Sequence, residues 1–295
     1  MVSETDIKQY VAQILSEMAA SGSLAQPGPG GPAAGPAPGG DEGVWPDILE
    51  EDLSLEINVP RPHNPEALRA IKKATPARIG VWRAGNRYLT KTLLRFRADH
   101  AVAMDAVFTD VSDEWIAGNK LPKFKTKCEN KDVYLTRPDL GRRFDPEEAA
   151  KIKALVGSQN KVVVFVADGL STTAVTANAM DTLKSMTAGL AASGIKTSPP
   201  FFVQYGRVGS EDSVSEITGA EVVVCLIGER PGLVTSESMS AYCCYKAYLD
   251  IPEAKRTVVS NIHRGGTPSV EAGSYLADLV RMMLEKKASG LDLKL

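Results

Sequence analysis

Glu221-Val222-Val223-Val224-Cys225-Leu226-Ile227 is an almost unbroken apolar run, and it stops abruptly at Gly228-Glu229-Arg230-Pro231-Gly232-Leu233. Such a run reads as a buried strand. The charged pair and the Pro-Gly turn that follow put polar groups at the mouth of a sheet, where open α/β sheets bind ligands. Working outward, residues 161–166 form a second buried strand that ends in Asp168-Gly169-Leu170-Ser171. Residues 172–192 read as a helix stopped by Gly194. A third strand at 201–205 runs into the turn Gly206-Arg207-Val208-Gly209, and a short helix at 211–218 stops at Gly219. A last strand at 256–262 ends in His263, before a closing helix at 269–287. Strands alternating with helices predict an α/β fold, a mostly parallel sheet with helices on both faces. Right-handed crossovers would bring Asp168-Gly169, Gly206-Arg207-Val208, Gly228-Glu229 and His263 to one edge.

The rest of the chain divides by composition. Residues 1–22 carry Ile7, Val11, Ile14, Leu15 and Met18 at helical spacing and predict an amphipathic helix. Residues 23–43 include PGPGGPAAGPAPGG at 27–40, which builds no core and reads as a flexible linker. A helix on such a tether is either a docking peptide or a frayed tail. Residues 44–150 read as a mainly helical region, with helices at 65–73 and 89–107, a short strand at 78–81 and a basic, loop-like stretch at 115–143. Residues 151–295 hold the α/β pattern.

With 295 residues, 43% of them apolar, the chain can bury a large core. A formal net charge of −2 points to neither nucleic acid nor an anionic membrane. No apolar stretch approaches the ~18 residues of a membrane span. The start of the chain lacks a basic-then-apolar signal pattern, so a cytoplasmic location is expected. Cys128, Cys225, Cys243 and Cys244 follow no framework spacing and are expected to be reduced thiols.

Several chemistries have weak support. Neither G-x-G-x-x-G nor a P-loop occurs, which argues against a standard nucleotide site. His63, His100 and His263 are far apart and lack metal-ligand spacing, so no metal site is expected; His263 reads as an ordinary loop histidine. Ser171 and Thr172 sit where a helix N-cap belongs rather than in a G-x-S-x-G elbow. Asp168 orients its turn or bonds a ligand, and both readings stand. Glu229, between Gly228 and Arg230-Pro231, would point off the sheet edge; the alternative is a local pair with Arg230, which is weakened because Pro231 favours an extended Arg230 and adjacent extended residues face opposite sides. Its carboxylate suits a ligand rich in N–H donors.

A series of ordered words resembles the light (small) chain of ethanolamine ammonia-lyase, an adenosylcobalamin-dependent enzyme. They are Arg83-Ala84-Gly85, L-L-R-F-R-A-D-H at 93–100, Y-L-T-R-P-D-L-G-R-R at 134–143 and D-G-L-S at 168–171. They continue with P-F-F-V-Q-Y-G-R-V at 200–208, G-E-R-P-G-L at 228–233 and S-N-I-H-R-G-G-T-P at 260–268. The resemblance covers about three quarters of the chain.

The resemblance implies a Rossmann-like domain that covers the cobalamin, and a heavy chain, folded as a TIM barrel, that holds ethanolamine. Together they would convert ethanolamine to acetaldehyde and ammonia, with no catalytic side chain from this chain. It assigns cofactor contact to Val208, Glu229 and Val258, the last standing where the family often has cysteine. It implies that the cofactor keeps its own base on cobalt, in keeping with the absence of a D-x-H-x-x-G motif. The basic stretch at 120–143 becomes a candidate heavy-chain interface or a solvated surface. The tethered helix becomes a candidate peptide for docking to bacterial microcompartment shell proteins. Two rivals from other classes are a non-enzymatic ligand-binding or scaffolding protein of the same fold, and a self-sufficient hydrolase built on Ser171 and His263.

Overall fold

A computed structural model describes residues 47–50, 53, 56–157 and 160–294. The expected helix at 1–22 and linker at 23–43 lie outside them. In chain order the elements are α1 (Pro65–Lys73), the two-residue strands β1 (Arg83–Ala84) and β2 (Arg87–Tyr88), α2 (Thr90–Phe108), α3 (Asp113–Gly118), β3 (Lys123–Lys125) and α4 (Lys131–Thr136). There follow α5 (Pro146–Val156), β4 (Val162–Ala167), α6 (Thr172–Ala192), β5 (Phe201–Gln204), α7 (Ser210–Thr218), β6 (Val222–Gly228), β7 (Met239–Tyr245), β8 (Thr257–Ile262) and α8 (Ser269–Lys286).

One six-stranded sheet, ordered β3-β5-β4-β6-β7-β8, organises the α/β fold. Its first four strands are parallel; β7 runs antiparallel to β6, and β8 antiparallel to β7. The central pair is in register from Val162 opposite Val222 to Ala167 opposite Ile227. Every residue of β4 and β6 is buried, which is why both read as continuous apolar runs: helices cover both faces of the sheet. Val162, Val164 and Val166 meet α6 and α8 on one face, while Val163, Phe165 and Ala167 meet α5 and α7 on the other. Each fully buried valine or phenylalanine contributes about 1.5–3 kcal/mol relative to exposure.

Helix α6 starts where expected because Ser171 Oγ accepts the Ala174 N–H at 3.1 Å. It lies close to α8 because Gly189 and Gly273 carry no side chain: a Cβ at Gly273 would stand 2.5 Å from the Thr182 carbonyl oxygen.

Three sequence-based expectations need correction, and one helix went unforeseen. The last strand is not reached by a helical crossover, because β7 intervenes. Two antiparallel steps return β8 to the direction of β6, so its end still faces the expected edge. Residues 78–81 form no strand; the hairpin β1–β2 turns at Gly85 instead. The stretch at 115–143 contains short elements rather than only loops. Ser112 caps α3 and Asn130 caps α4 through side-chain oxygens, and β3 joins the sheet edge. Helix α5 was not anticipated, although Pro146 in its first turn, Glu147, Glu148 and a closing Gly157 are ordinary helix punctuation.

Candidate ligand cleft

Where β4, β5 and β6 end, three turns approach closely. Asp168, fully buried, ties the first two together: Oδ1 accepts the N–H groups of Gly169 (3.0 Å) and Gly206 (3.1 Å), and Oδ2 accepts that of Tyr205 (2.9 Å). Burial pushes its carboxyl up to about 6, against the pull of Lys131 and of the Tyr205 and Gly206 amides. Its hydrogen bonds all serve the fold, so of the two readings of Asp168 the orienting one matches the geometry. The β4 and β6 turns touch backbone to backbone, with Leu170 N–H donating to the Gly228 carbonyl at 3.1 Å.

These turns open onto a cleft of ≈ 420 Å³. Leu170, Val208 and Ile227 supply apolar wall, Glu229 and Arg207 supply charge, and Ser240, Tyr242 and Ser260 bring in β7 and β8. Tyr134 reaches the same cleft from α4.

Glu229 is half-buried and makes no ion pair with Arg230 among the described residues. Its Oε1 accepts from Ser240 Oγ (2.5 Å) and from the Asn261 N–H (3.0 Å), and its Oε2 from Ser238 Oγ (3.0 Å). Burial alone would raise its pKa. The Ser240, Asn261 and Ser238 hydrogen bonds, with the nearby His263, outweigh it and hold the carboxyl below its ordinary value. Glu229 is therefore an ionised acceptor that also pins the ends of β7 and β8. Val208 is half-buried in the cleft wall, against the core of the α5–α7 face. Val258 lies opposite Tyr242 on β8, 43% exposed, beside the cleft rather than in its wall.

The sequence brought Arg207 to this edge within the turn Gly206-Arg207-Val208 but assigned it no role. Its Nη2 donates to the Tyr134 carbonyl at 2.6 Å, and its Cζ stands 4.4 Å from the centre of the Tyr134 ring. Outside the cleft lining lies an unanticipated group. Arg256 pairs with Asp212 (Nη1 to Oδ1 2.7 Å, Nη2 to Oδ2 3.2 Å) and with Glu253 (2.9 Å). Glu211, fully buried, stands 3.6 Å from Arg256, and neither of its oxygens accepts a hydrogen bond among the described residues. Burial raises both Glu211 and Asp212, and Arg256 pulls both back.

The rival catalytic dyad does not assemble. Ser171 Oγ caps α6 and donates to the Ser236 carbonyl. The His263 ring sits within its own loop, 2.9 Å from Asn261 Oδ1 and accepting the Gly265 N–H at 3.1 Å. The four cysteines are buried and free. Among the described residues no group of three or more His, Cys, Asp or Glu could hold a metal ion, and no helix is long and apolar enough to cross a membrane.

A strand-end cleft with a satisfied carboxylate, a guanidinium and apolar walls marks an α/β chain with a candidate ligand site at its sheet edge. A family model described as ethanolamine ammonia-lyase light chain matches residues 65–294, a span that contains every sequence word quoted above. The chain is 50% identical to the ethanolamine ammonia-lyase small subunit of Clostridium tetani over 302 aligned residues, which cover the whole of both chains. It is 48% identical to that of Fusobacterium nucleatum, again over all of both. To that of Clostridioides difficile it is 52% identical over 248 residues, 84% of this chain and 85% of the other. The chain belongs to the ethanolamine ammonia-lyase light-chain family.

Proposed function

We propose that this chain is the small subunit of an adenosylcobalamin-dependent ethanolamine ammonia-lyase. With a large TIM-barrel chain it would convert ethanolamine to acetaldehyde and ammonia. Its own task is to hold the cofactor at the strand-end cleft. The observation that carries this reading is the cleft's donor set. Ionised Glu229 accepts, Arg207 donates, and Val208, Leu170 and Ile227 offer apolar surface, with no phosphate loop beside them.

That set fits cobalamin. The rim of its corrin bears carboxamides, which need acceptors and donors together, and its faces are apolar. Arg207 Nε, buried, is a donor left without a partner among the described residues. Glu229 would accept carboxamide N–H groups through the capacity left on Oε2, and Val208 would form apolar wall. Val258 would give an apolar or main-chain contact where the family often has cysteine. When bound, the cofactor supplies radical initiation. This chain's residues would bind and orient it, while His263 is engaged in its own loop with Asn261 and Gly265.

Glu229→Ala in the assembled enzyme is expected to weaken cobalamin binding roughly 10-fold or more, the scale of losing hydrogen bonds to a charged group. Turnover at saturating cofactor should change far less. A loss of turnover with unchanged cobalamin affinity would overturn the assignment.

Residues 1–22, on the linker at 23–43, are proposed to dock to the shell of a bacterial microcompartment in the cytoplasm. What supports this is the apolar stripe on a Pro/Gly/Ala tether. Deleting residues 1–40 should abolish compartment loading in cells and spare activity of the purified enzyme. Normal loading after the deletion would refute the idea.

A further inference from the structure

We infer that Arg207 anchors a neutral carboxamide oxygen of the cobalamin, an assignment that rests on the cofactor reading above. The side chain is placed by distant parts of the chain. Its backbone N–H donates to the Gly141 carbonyl at 2.9 Å. Its stem passes where a side chain at residue 141 would be, since a Cβ there would stand 2.7 Å from Arg207 Cγ. The guanidinium then lies over the Tyr134 ring and is fixed by the Tyr134 carbonyl.

Held in this way, the group keeps only one hydrogen bond among the described residues, while Nε is shielded without an acceptor. An arginine fixed in a cleft wall with unmet donors favours an incoming acceptor.

The surroundings select an uncharged acceptor. The first turn of α7, which starts three residues on, carries Glu211 and Asp212, and Glu229 lines the same cleft. The N–H groups of Ser210 and Glu211 are spent on the carbonyls of Arg207 (2.8 Å) and Val208 (3.0 Å), so the helix start offers no anion nest there. Of the other cations, Arg230 also lines the cleft but is exposed to solvent, and Lys131, 5.5 Å from the Tyr134 ring centre, is paired with Asp110 at 3.2 Å. A carboxamide oxygen takes the guanidinium's hydrogen bond without bringing negative charge beside Glu229, and Glu229 suits a carboxamide N–H.

The test is a spectroscopic titration of the full chain assembled with its large subunit, using cyanocobalamin and dicyanocobinamide. Cobinamide keeps the corrin carboxamides and lacks the phosphodiester and base. Arg207→Met is expected to weaken both ligands by the same factor, roughly 10- to 100-fold, with assembly and melting temperature unchanged. A loss confined to cyanocobalamin would place Arg207 on the phosphodiester and overturn the carboxamide assignment. Unchanged affinity for both would remove Arg207 from the site. If Arg207→Met does not assemble, Arg207→Lys carries the same comparison, with a smaller equal loss expected. Failure of the parent complex to bind either corrinoid would instead sink the cofactor reading itself.

Discussion

Gly228→Ala is expected to unfold the cleft from within. A Cβ on Gly228 would stand 2.1 Å from the Ser171 carbonyl oxygen and 2.7 Å from that of Asp168. Both obstacles are backbone, so no rotamer change relieves them; the end of β4 and the start of α6 would have to move away from β6. Overpacking of a core commonly costs about 1–3 kcal/mol. Here two elements are tied to the obstructed atoms, so a loss of ~3 kcal/mol or more is expected, read as a drop in urea midpoint. On the proposed cofactor reading, cobalamin affinity should fall with it, because Glu229 is the next residue. A variant that melts within ~0.5 kcal/mol of the parent would show that the turns separate easily and that close contact does not define the cleft.

Arg256→Met is the second large effect. Burial alone would lower the pKa of Arg256, but its hydrogen-bonded pair with Asp212 and the charges of Glu211 and Glu253 hold it above its ordinary value. Removing one partner of a buried pair leaves the other charge uncompensated, a loss of about 3–5 kcal/mol. The sign of the pH dependence follows. Burial already raises Asp212, and losing the guanidinium raises it further above its unfolded value. Below the unfolded carboxylate pKa both states hold the proton and the variant loses least. As pH rises through the raised folded pKa the penalty grows, so the gap to the parent should widen from about pH 4 to pH 7. Glu211→Gln is the control: burial disfavours charge on this carboxyl, so an uncharged isostere should be tolerated with little change at neutral pH. An Arg256→Met penalty that stays flat with pH would show that packing, not charge, is what Arg256 supplies.

The parts of this fold that were legible in the sequence are those whose environment imprints a simple pattern. Strands β4 and β6, covered on both faces, could only be continuous apolar runs. Helix α6 announced itself through its Ser171 cap. Strand β7 did not. Met239, Ala241 and Cys243 face the α6–α8 core while Ser240 and Tyr242 turn toward the cleft, an alternation hidden by two adjacent buried cysteines. Helices α3 and α4 are too short for a helical period to show.

The site divides in the same way. Val208 and Glu229 follow strand ends, so topology alone put them at the edge. Arg207 depends on Gly141, 66 positions earlier in the chain (207 less 141), making room for its stem, and no local pattern carries that. Arg256 was invisible because its buried carboxylate partners, Glu211 and Asp212, come from α7, far earlier in the chain.

The outer strands of the sheet differ in length but share a property. Strand β3 is three residues long, with Phe124 buried between exposed Lys123 and Lys125. Strand β8 leaves register with β7 beyond Val259, and Asn261 turns left-handed at φ 61. Short, lysine-flanked or kinked borders are poor templates for a further strand. The consequence is colloidal: copies of this chain are discouraged from zipping together through their sheets, which guards against aggregation while leaving the cleft and its loops open for association.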